Sequence, residues 1–144
     1  MADPPTEAKA AESAGVKIRV LLADDNPGLL AQVKDSLGGE FEIVAAVADG
    51  RALLEAFDRY RPDVVVTDIS MPLVDGLEAA AKLRLRGNPP VVFFTVHEDS
   101  VFLKEAKALG ALGYVLKRSP PSVLAAAIRS AYAGSFFSSP GFIT

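Results

Sequence analysis

The chain has 144 residues, half of them apolar, which is enough for one domain with a substantial core and too few for two ordinary domains. A net charge of −3 offers no cationic surface for nucleic acid, and one histidine with no cysteine excludes disulfides, thiolate metal sites and histidine-rich metal centres. No apolar run approaches the ~18–20 residues of a membrane span, so we expect a soluble cytoplasmic protein.

The two ends of the chain differ from its middle in composition. Residues 1–16 are rich in Ala, Pro and acidic residues and contain no apolar signal segment, so we predict a flexible leader. Residues 135–144 are short and rich in turn formers, which predicts a C-terminal tail or the start of a linker. A single folded domain is therefore expected over residues 17–134.

Short apolar runs, rich in β-branched and aromatic residues, alternate with helix-like segments along this domain. The predicted strands are Ile18–Ala23, Glu42–Val47, Val64–Thr67, Val91–Phe94 and Gly113–Leu116. The predicted caps of the first four helices are Asn26, Asp49, Asp75 and Asp99, and Ser119-Pro120-Pro121 is predicted to open the fifth. The predicted helices end before Gly38, at Arg61, at about Arg86, before Gly110 and at Ala133. Five strands that alternate with five helices predict a doubly wound α/β sheet.

Polar side chains stand where four of these strands end. Asp24 and Asp25 follow the first strand, Asp68 follows the third, Thr95 closes the fourth and Lys117 follows the fifth. In a parallel sheet these ends meet in one crevice, which is where open α/β sheets bind their ligands. Three carboxylates, a hydroxyl and an ammonium make a cation site beside a place for an anion. The pattern predicts Mg²⁺ together with a phosphoryl group.

The sequence around these residues carries four linked motifs. They are Leu21–Asp25, Val66–Pro72 with Asp75-Gly76, Phe94–His97 and Gly110–Lys117. From about Lys17 to about Gly134 the chain resembles the receiver domain of bacterial two-component response regulators. Among these it is most similar to the NarL/LuxR-type receivers, which usually carry a helix-turn-helix domain. The resemblance implies a flavodoxin-like sheet of five parallel strands in the order 2-1-3-4-5.

The resemblance also implies roles for the polar residues. Asp68 would accept a phosphoryl group from a histidine kinase, and Lys117 and Thr95 would contact the phosphoryl oxygens. The implied Mg²⁺ site consists of Asp25 as a direct ligand, Asp24 as a water-mediated partner, Asp68, and the backbone carbonyl of Ser70.

Further residues are expected to control the switch and its lifetime. Thr95 and Tyr114 would form a two-state packing element, and the alternative for Tyr114 is a half-buried strand residue with a solvated hydroxyl. Ser70, Val96 and His97 would border the path of the hydrolytic water, where Val96 replaces a usually smaller residue. The alternative for His97 is a surface histidine that has no role in the site.

The resulting hypothesis is a phosphorylation-dependent signalling switch, either the receiver part of a transcriptional regulator or a stand-alone receiver. It would have only self-phosphorylation and self-dephosphorylation chemistry, and this chain alone would bind neither nucleic acid nor membrane. In the last helix, nine of the twelve residues Ser122–Ala133 are apolar, which favours a second contact such as a homodimer or an attached domain. Tolerance of exposed alanine is the alternative.

Two functions from other classes share some of these features. A Mg²⁺-dependent phosphatase of the haloacid-dehalogenase type also uses an aspartate nucleophile, but it requires a second aspartate where Ser70 stands. A flavodoxin-like nucleotide-binding module would require a glycine-rich or hydroxyl-rich loop after the first strand. Asp24 and Asp25 occupy that position and would repel a phosphate.

Overall fold

Strands and helices alternate along the chain in the computed structural model, which describes residues 16–140. Nearly all of the predicted leader therefore lies outside the described residues. The elements are β1 Arg19–Ala23, α1 Pro27–Leu37, β2 Glu42–Val47, α2 Gly50–Tyr60, β3 Val64–Thr67, α3 Gly76–Arg84, β4 Val91–Thr95, α4 Ser100–Ala108, β5 Gly113–Leu116, α5 Pro121–Tyr132 and β6 Phe137–Ser138. Within this range no helix is long and apolar enough to cross a membrane.

All strand pairings are parallel, and the strands lie in the order β2-β1-β3-β4-β5-β6. The predicted order 2-1-3-4-5 is confirmed. Because β1 lies between β2 and β3, the chain adds β2 on one side of β1 and β3 with all later strands on the other side. A crevice opens at such a switch point beyond the carboxyl ends of the strands.

The sheet is buried on both faces, which explains why its strands are continuous apolar runs. The buried side chains of α2, α3 and α4 pack in one core with alternate strand residues such as Leu21 and Val65. Those of α1 and α5 pack in the other core with the intervening strand residues such as Val64 and Val66. The fold is thus three layers with the strand ends left open between the helices.

Four of the predicted caps fix the start of a helix next to the crevice. The side chains of Asn26, Asp49, Asp75 and Asp99 accept hydrogen bonds from the backbone N–H of Leu29, Ala52, Glu78 and Val101 at 2.7–3.1 Å. The end of α3 differs from the prediction, because the helix ends at Arg84 rather than at about Arg86. The N–H groups of Leu85 and Arg86 bond three residues back, so the chain tightens into a turn there.

The sheet has a sixth strand, which the predicted tail does not indicate. Phe137 N–H donates to the carbonyl of Leu112 and Ser139 N–H to that of Tyr114, both at 3.0 Å. The buried Ser139 hydroxyl accepts from Leu116 N–H at 2.9 Å. This segment covers the edge of β5 that would otherwise offer unpaired backbone groups. A strand of two residues has no periodicity that a sequence pattern can detect.

Candidate functional site

The structure brings the predicted polar residues together at the carboxyl edge of the sheet. Asp24, Asp25 and Asp68 each offer a carboxylate oxygen, and these oxygens lie within 4.8 Å of one another. Lys117 Nζ lies 2.6 Å from Asp24 Oδ2 and 2.8 Å from Asp68 Oδ2. Thr95 is fully buried at the end of β4, the strand between those that deliver Asp68 and Lys117.

The backbone around the two buried carboxylates is held by the sheet. Asp24 N–H donates to Val47 O at 2.9 Å and Asp68 N–H to Ala23 O at 3.0 Å, which extends the parallel ladders beyond β1 and β3. Within each carboxylate, Oδ1 accepts a local backbone N–H, from Asn26 at 2.9 Å for Asp24 and from Ile69 at 2.7 Å for Asp68. The remaining oxygen of each carboxylate, Oδ2, contacts the Lys117 ammonium.

A tight loop after Asp68 returns the chain to the sheet. Gly76 N–H donates to Ile69 O at 2.7 Å, and a side chain at Gly76 would collide with the Asp68 carbonyl. Within the loop Leu73 has a φ of +69°, and Asp75 caps α3. The Asp75-Gly76 pair of the motif is thus required by a cap and a close backbone approach next to Asp68.

Lys117 is held as an ammonium by its two partners. Burial alone would lower the pKa of Lys117, but its short polar contacts with Asp24 and Asp68 and the charges of these carboxylates raise it above the ordinary lysine value. The side chains of Lys117, Asp24 and Asp68 are only 16%, 5% and 8% exposed. Water therefore screens this three-member cluster weakly.

The carboxylate cluster fits a divalent cation that prefers oxygen ligands. Asp24 Oδ2 is buried and no hydrogen-bond donor is aligned on it, although the Lys117 ammonium contacts it as an ion. Asp25 is exposed and completes the set of three carboxylates. Carboxylate oxygens without imidazole or thiolate suit Mg²⁺ or Ca²⁺ rather than zinc.

Tyr114 is fully buried, and its hydroxyl donates to the backbone carbonyl of His97 at 2.8 Å. The alternative of a half-buried tyrosine with a solvated hydroxyl is therefore wrong. Burial, followed by the charges of Asp68 and Asp99, raises the pKa of Tyr114 to about 12. The tyrosine is thus a neutral hydrogen-bond donor at neutral pH.

The residues expected to border the water path lie together outside the buried cluster. The Ser70 hydroxyl and His97 Nε2 lie within hydrogen-bonding distance at 2.9 Å. Val96 is 65% exposed on the loop after β4. The imidazole of His97 also stacks on Phe102, a contact that the sequence does not indicate, because Phe102 is there only one apolar residue of a helical face.

Comparisons with known proteins agree on one family. Residues 20–129 match the response regulator receiver domain. The chain is 33% identical over 127 residues to the transcriptional regulatory protein DegU of Brevibacillus brevis, covering 86% of this chain and 54% of that protein. It thus spans about half the length of this curated relative.

Two solved structures are similar in fold and sequence. A LuxR-family two-component response regulator from Aurantimonas has a TM-score of 0.80 at 31% identity, covering 85% of this chain and 89% of that one. The signal receiver domain of the putative response regulator NarL from Mycobacterium tuberculosis has a TM-score of 0.78 at 30% identity, covering 82% and 98%. Such domains bind Mg²⁺ in an acidic pocket, and this chain has an aspartate cluster of that kind.

Proposed function

We propose that Asp68 is the phosphoacceptor of this chain, which belongs to the response regulator receiver family and signals through phosphorylation. The observation that carries the proposal is the position of Asp68 Oδ2, which lies 2.8 Å from the Lys117 ammonium beside two further carboxylates. A carboxylate attacks phosphorus only where charge on the phosphoryl oxygens is neutralised. We assign the receiver domain to residues 17–134 together with the β6 segment.

In the transfer step, an Asp68 carboxylate oxygen attacks the phosphorus of the donor. The bond from phosphorus to the donor atom breaks, and its electron pair leaves with the donor. Lys117 then pairs with one phosphoryl oxygen and the Thr95 hydroxyl donates to another. When bound, Mg²⁺ would neutralise further negative charge on the phosphoryl group.

Phosphorylation of the wild-type chain tests this function directly. After incubation with a small acyl-phosphate donor and Mg²⁺, the intact mass should increase by one phosphoryl group. The label should be labile to acid and base, as an acyl phosphate is, and it should not form in the presence of EDTA. A chain that takes no label under these conditions would not be the proposed switch.

We propose Asp25 as the principal Mg²⁺ ligand, with Asp68 and the Ser70 backbone carbonyl, while Asp24 acts through a bound water. The exposed Asp25 is free to approach a cation, whereas Asp24 is bound to Lys117 and to the Asn26 N–H. Asp25→Asn should therefore weaken Mg²⁺ binding by at least tenfold, and Asp24→Asn by less. Isothermal titration of Mg²⁺ measures both, and equal losses would contradict this division of roles.

Thr95 and Tyr114 are the proposed switch. Both contact the same residue, because the Thr95 hydroxyl accepts from His97 N–H at 3.2 Å and the Tyr114 hydroxyl donates to His97 O. The Thr95 hydroxyl can donate to a phosphoryl oxygen while it still accepts from His97 N–H, so a shift of this hydroxyl would move His97 with it. The rearrangement would therefore reach Tyr114 through one shared residue.

Val96 is proposed to limit access to Asp68 in both directions. Its branched side chain is 65% exposed next to Thr95, so its methyl groups lie at the surface rather than in the core, and we propose that they narrow the entrance to Asp68. Val96→Ala should accelerate phosphorylation by small donors and spontaneous hydrolysis about tenfold each, a change of ~1.4 kcal/mol in the barrier. Stopped-flow phosphorylation and phosphate-release assays measure the two rates.

Val101→Ala is the matched control for this experiment, since Val101 is an exposed valine of α4. It should leave both rates unchanged. Unchanged or slower rates in Val96→Ala would contradict the steric argument.

The proposed partners are a histidine kinase, which receiver domains use as a phosphoryl source, and a second copy of this chain. On α5, Val123, Ala125 and Ala126 are half-buried apolar residues, and Val123 and Ala125 lie at the margins of the face that packs on the sheet. Phosphorylation should change self-association through this helix, in the cytoplasm. Sedimentation velocity of the phosphorylated and unmodified chain tests this, and a monomer in both states would contradict it.

We propose no separate enzymatic turnover and no DNA binding by this chain alone. Ser70 stands where a phosphatase of the haloacid-dehalogenase type needs its second carboxylate, and its hydroxyl is engaged with His97. Regulation of transcription would require sequence outside these 144 residues or a partner chain.

A further inference from the structure

The side chain of His97 lies between two residues from different elements. At the edge of its ring, Nε2 is 2.9 Å from the hydroxyl of Ser70, in the loop after β3. The face of the ring stacks on Phe102 of α4, with the ring centroids 4.3 Å apart and the planes inclined by 29°. The imidazole thus connects this loop to α4.

The backbone of His97 is fixed independently of these side-chain contacts. Its N–H donates to the Thr95 hydroxyl and its carbonyl accepts from the Tyr114 hydroxyl, and both partners are fully buried. The remaining freedom of His97 is the rotation of its side chain. Ser70 contacts the edge of the imidazole at Nε2 and Phe102 contacts its face, so together they select the orientation of the side chain.

The contact between Ser70 and His97 lies outside the phosphoacceptor. Ser70 comes two residues after Asp68, which follows β3, and His97 comes two residues after Thr95, the last residue of β4. Because β3 and β4 are adjacent parallel strands, the contact joins the loops that follow two neighbouring strand ends, and it is exposed whereas Asp68 is buried. The Asp68 side chain is only 8% exposed, although it stands at the open edge of the sheet.

We propose that Phe102 is a positioning residue that acts through His97. Its ring holds the imidazole against Ser70, and this closure keeps water from an acyl phosphate on Asp68. The proposal rests on the proposed function of Asp68. In the hydrolysis that it slows, a water oxygen attacks phosphorus and the bond between phosphorus and the Asp68 oxygen breaks. The electron pair stays on the carboxylate, the water loses a proton to solvent, and inorganic phosphate leaves.

Phosphate release from the phosphorylated chain, after removal of the donor, tests this role. Phe102→Ala should hydrolyse about two- to tenfold faster than the wild type, which is the factor that corresponds to an aromatic contact. Phe102→Tyr keeps the ring and should restore the wild-type rate. Val101→Ala, on the same turn of α4, should have no effect.

A double variant distinguishes positioning from a general loosening of α4. If Phe102 acts through the imidazole, Phe102→Ala should change nothing in a His97→Ala background. An equal acceleration in that background would overturn the proposal, as would an unchanged rate in a folded Phe102→Ala variant.

The single histidine of the chain allows a second measurement that does not depend on phosphorylation. The imidazole proton resonances are unique in the NMR spectrum, and the ring of Phe102 should shift them. Phe102→Ala and Ser70→Ala should each move these resonances, whereas Val101→Ala should not. Histidine resonances that stay in place in Phe102→Ala would overturn the positioning role. A wild-type chain that takes no phosphate would instead overturn the proposed function of Asp68, and the role of Phe102 in hydrolysis would fall with it.

Discussion

Replacing Asp68 with asparagine should abolish phosphorylation by an acyl-phosphate donor, with no label detectable by intact mass measurement. The amide has the shape of the carboxylate but no anionic oxygen to attack phosphorus. The fold should survive, because the amide oxygen can still accept from Ile69 N–H. Lys117 also keeps its ion pair with Asp24, so no buried ammonium is left without a counterion.

Asp75→Asn is the matched control, because Asp75 is an exposed carboxylate in the loop that follows Asp68. Asparagine caps a helix about as well as aspartate, so this variant should fold and take the label like the wild type. A label that persists in Asp68→Asn would assign the nucleophile to another carboxylate of the cluster. Thermal unfolding of both variants excludes a loss of structure as the cause.

The meeting of the carboxylates and Lys117 follows from sequence because it depends on only two facts. Each residue directly follows a short apolar strand, and the ends of parallel strands lie at one edge of a sheet. The caps at Asn26, Asp49, Asp75 and Asp99 are equally local, since each bonds an N–H two or three residues away. Strand order is not local, and the resemblance to receivers supplied it.

The features that sequence did not indicate depend on contacts between distant segments. The stacking of His97 on Phe102 requires a particular orientation of α4 and particular side-chain rotamers. The β6 strand forms because Phe137 and Ser139 find the free edge of β5, and two residues carry no periodic signal. The shared bond of Lys117 to Asp24 and Asp68 depends on distances of a few tenths of an ångström, which strand positions alone do not fix.

Replacing Lys117 with methionine should destabilise the metal-free protein by about 3 kcal/mol, because it leaves two buried carboxylates facing the space that the ammonium occupied. The value lies at the lower end of the range for broken buried pairs, since the Lys117 side chain is 16% exposed and water can enter.

The pKa of Lys117 is raised above 10.5 in the folded protein. Its stabilising contribution is therefore fully present below the unfolded-state pKa and is lost as pH rises through the folded-state pKa. The difference between variant and wild type should thus be constant across neutral pH, as measured by urea unfolding in EDTA.

Mg²⁺ should stabilise Lys117→Met more than it stabilises the wild type. The ammonium and the cation are attracted to the same carboxylates, so removal of the ammonium should tighten Mg²⁺ binding. At saturating Mg²⁺, each tenfold gain in affinity adds ~1.4 kcal/mol to the free energy of unfolding. Lys104→Met, which removes an exposed lysine of α4, should change neither quantity.

Adding Asp68→Asn to Lys117→Met removes one of the two facing charges and should restore most of the lost stability in EDTA. A double variant as unstable as Lys117→Met alone would show that the loss comes from packing of the lysine side chain rather than from charge repulsion.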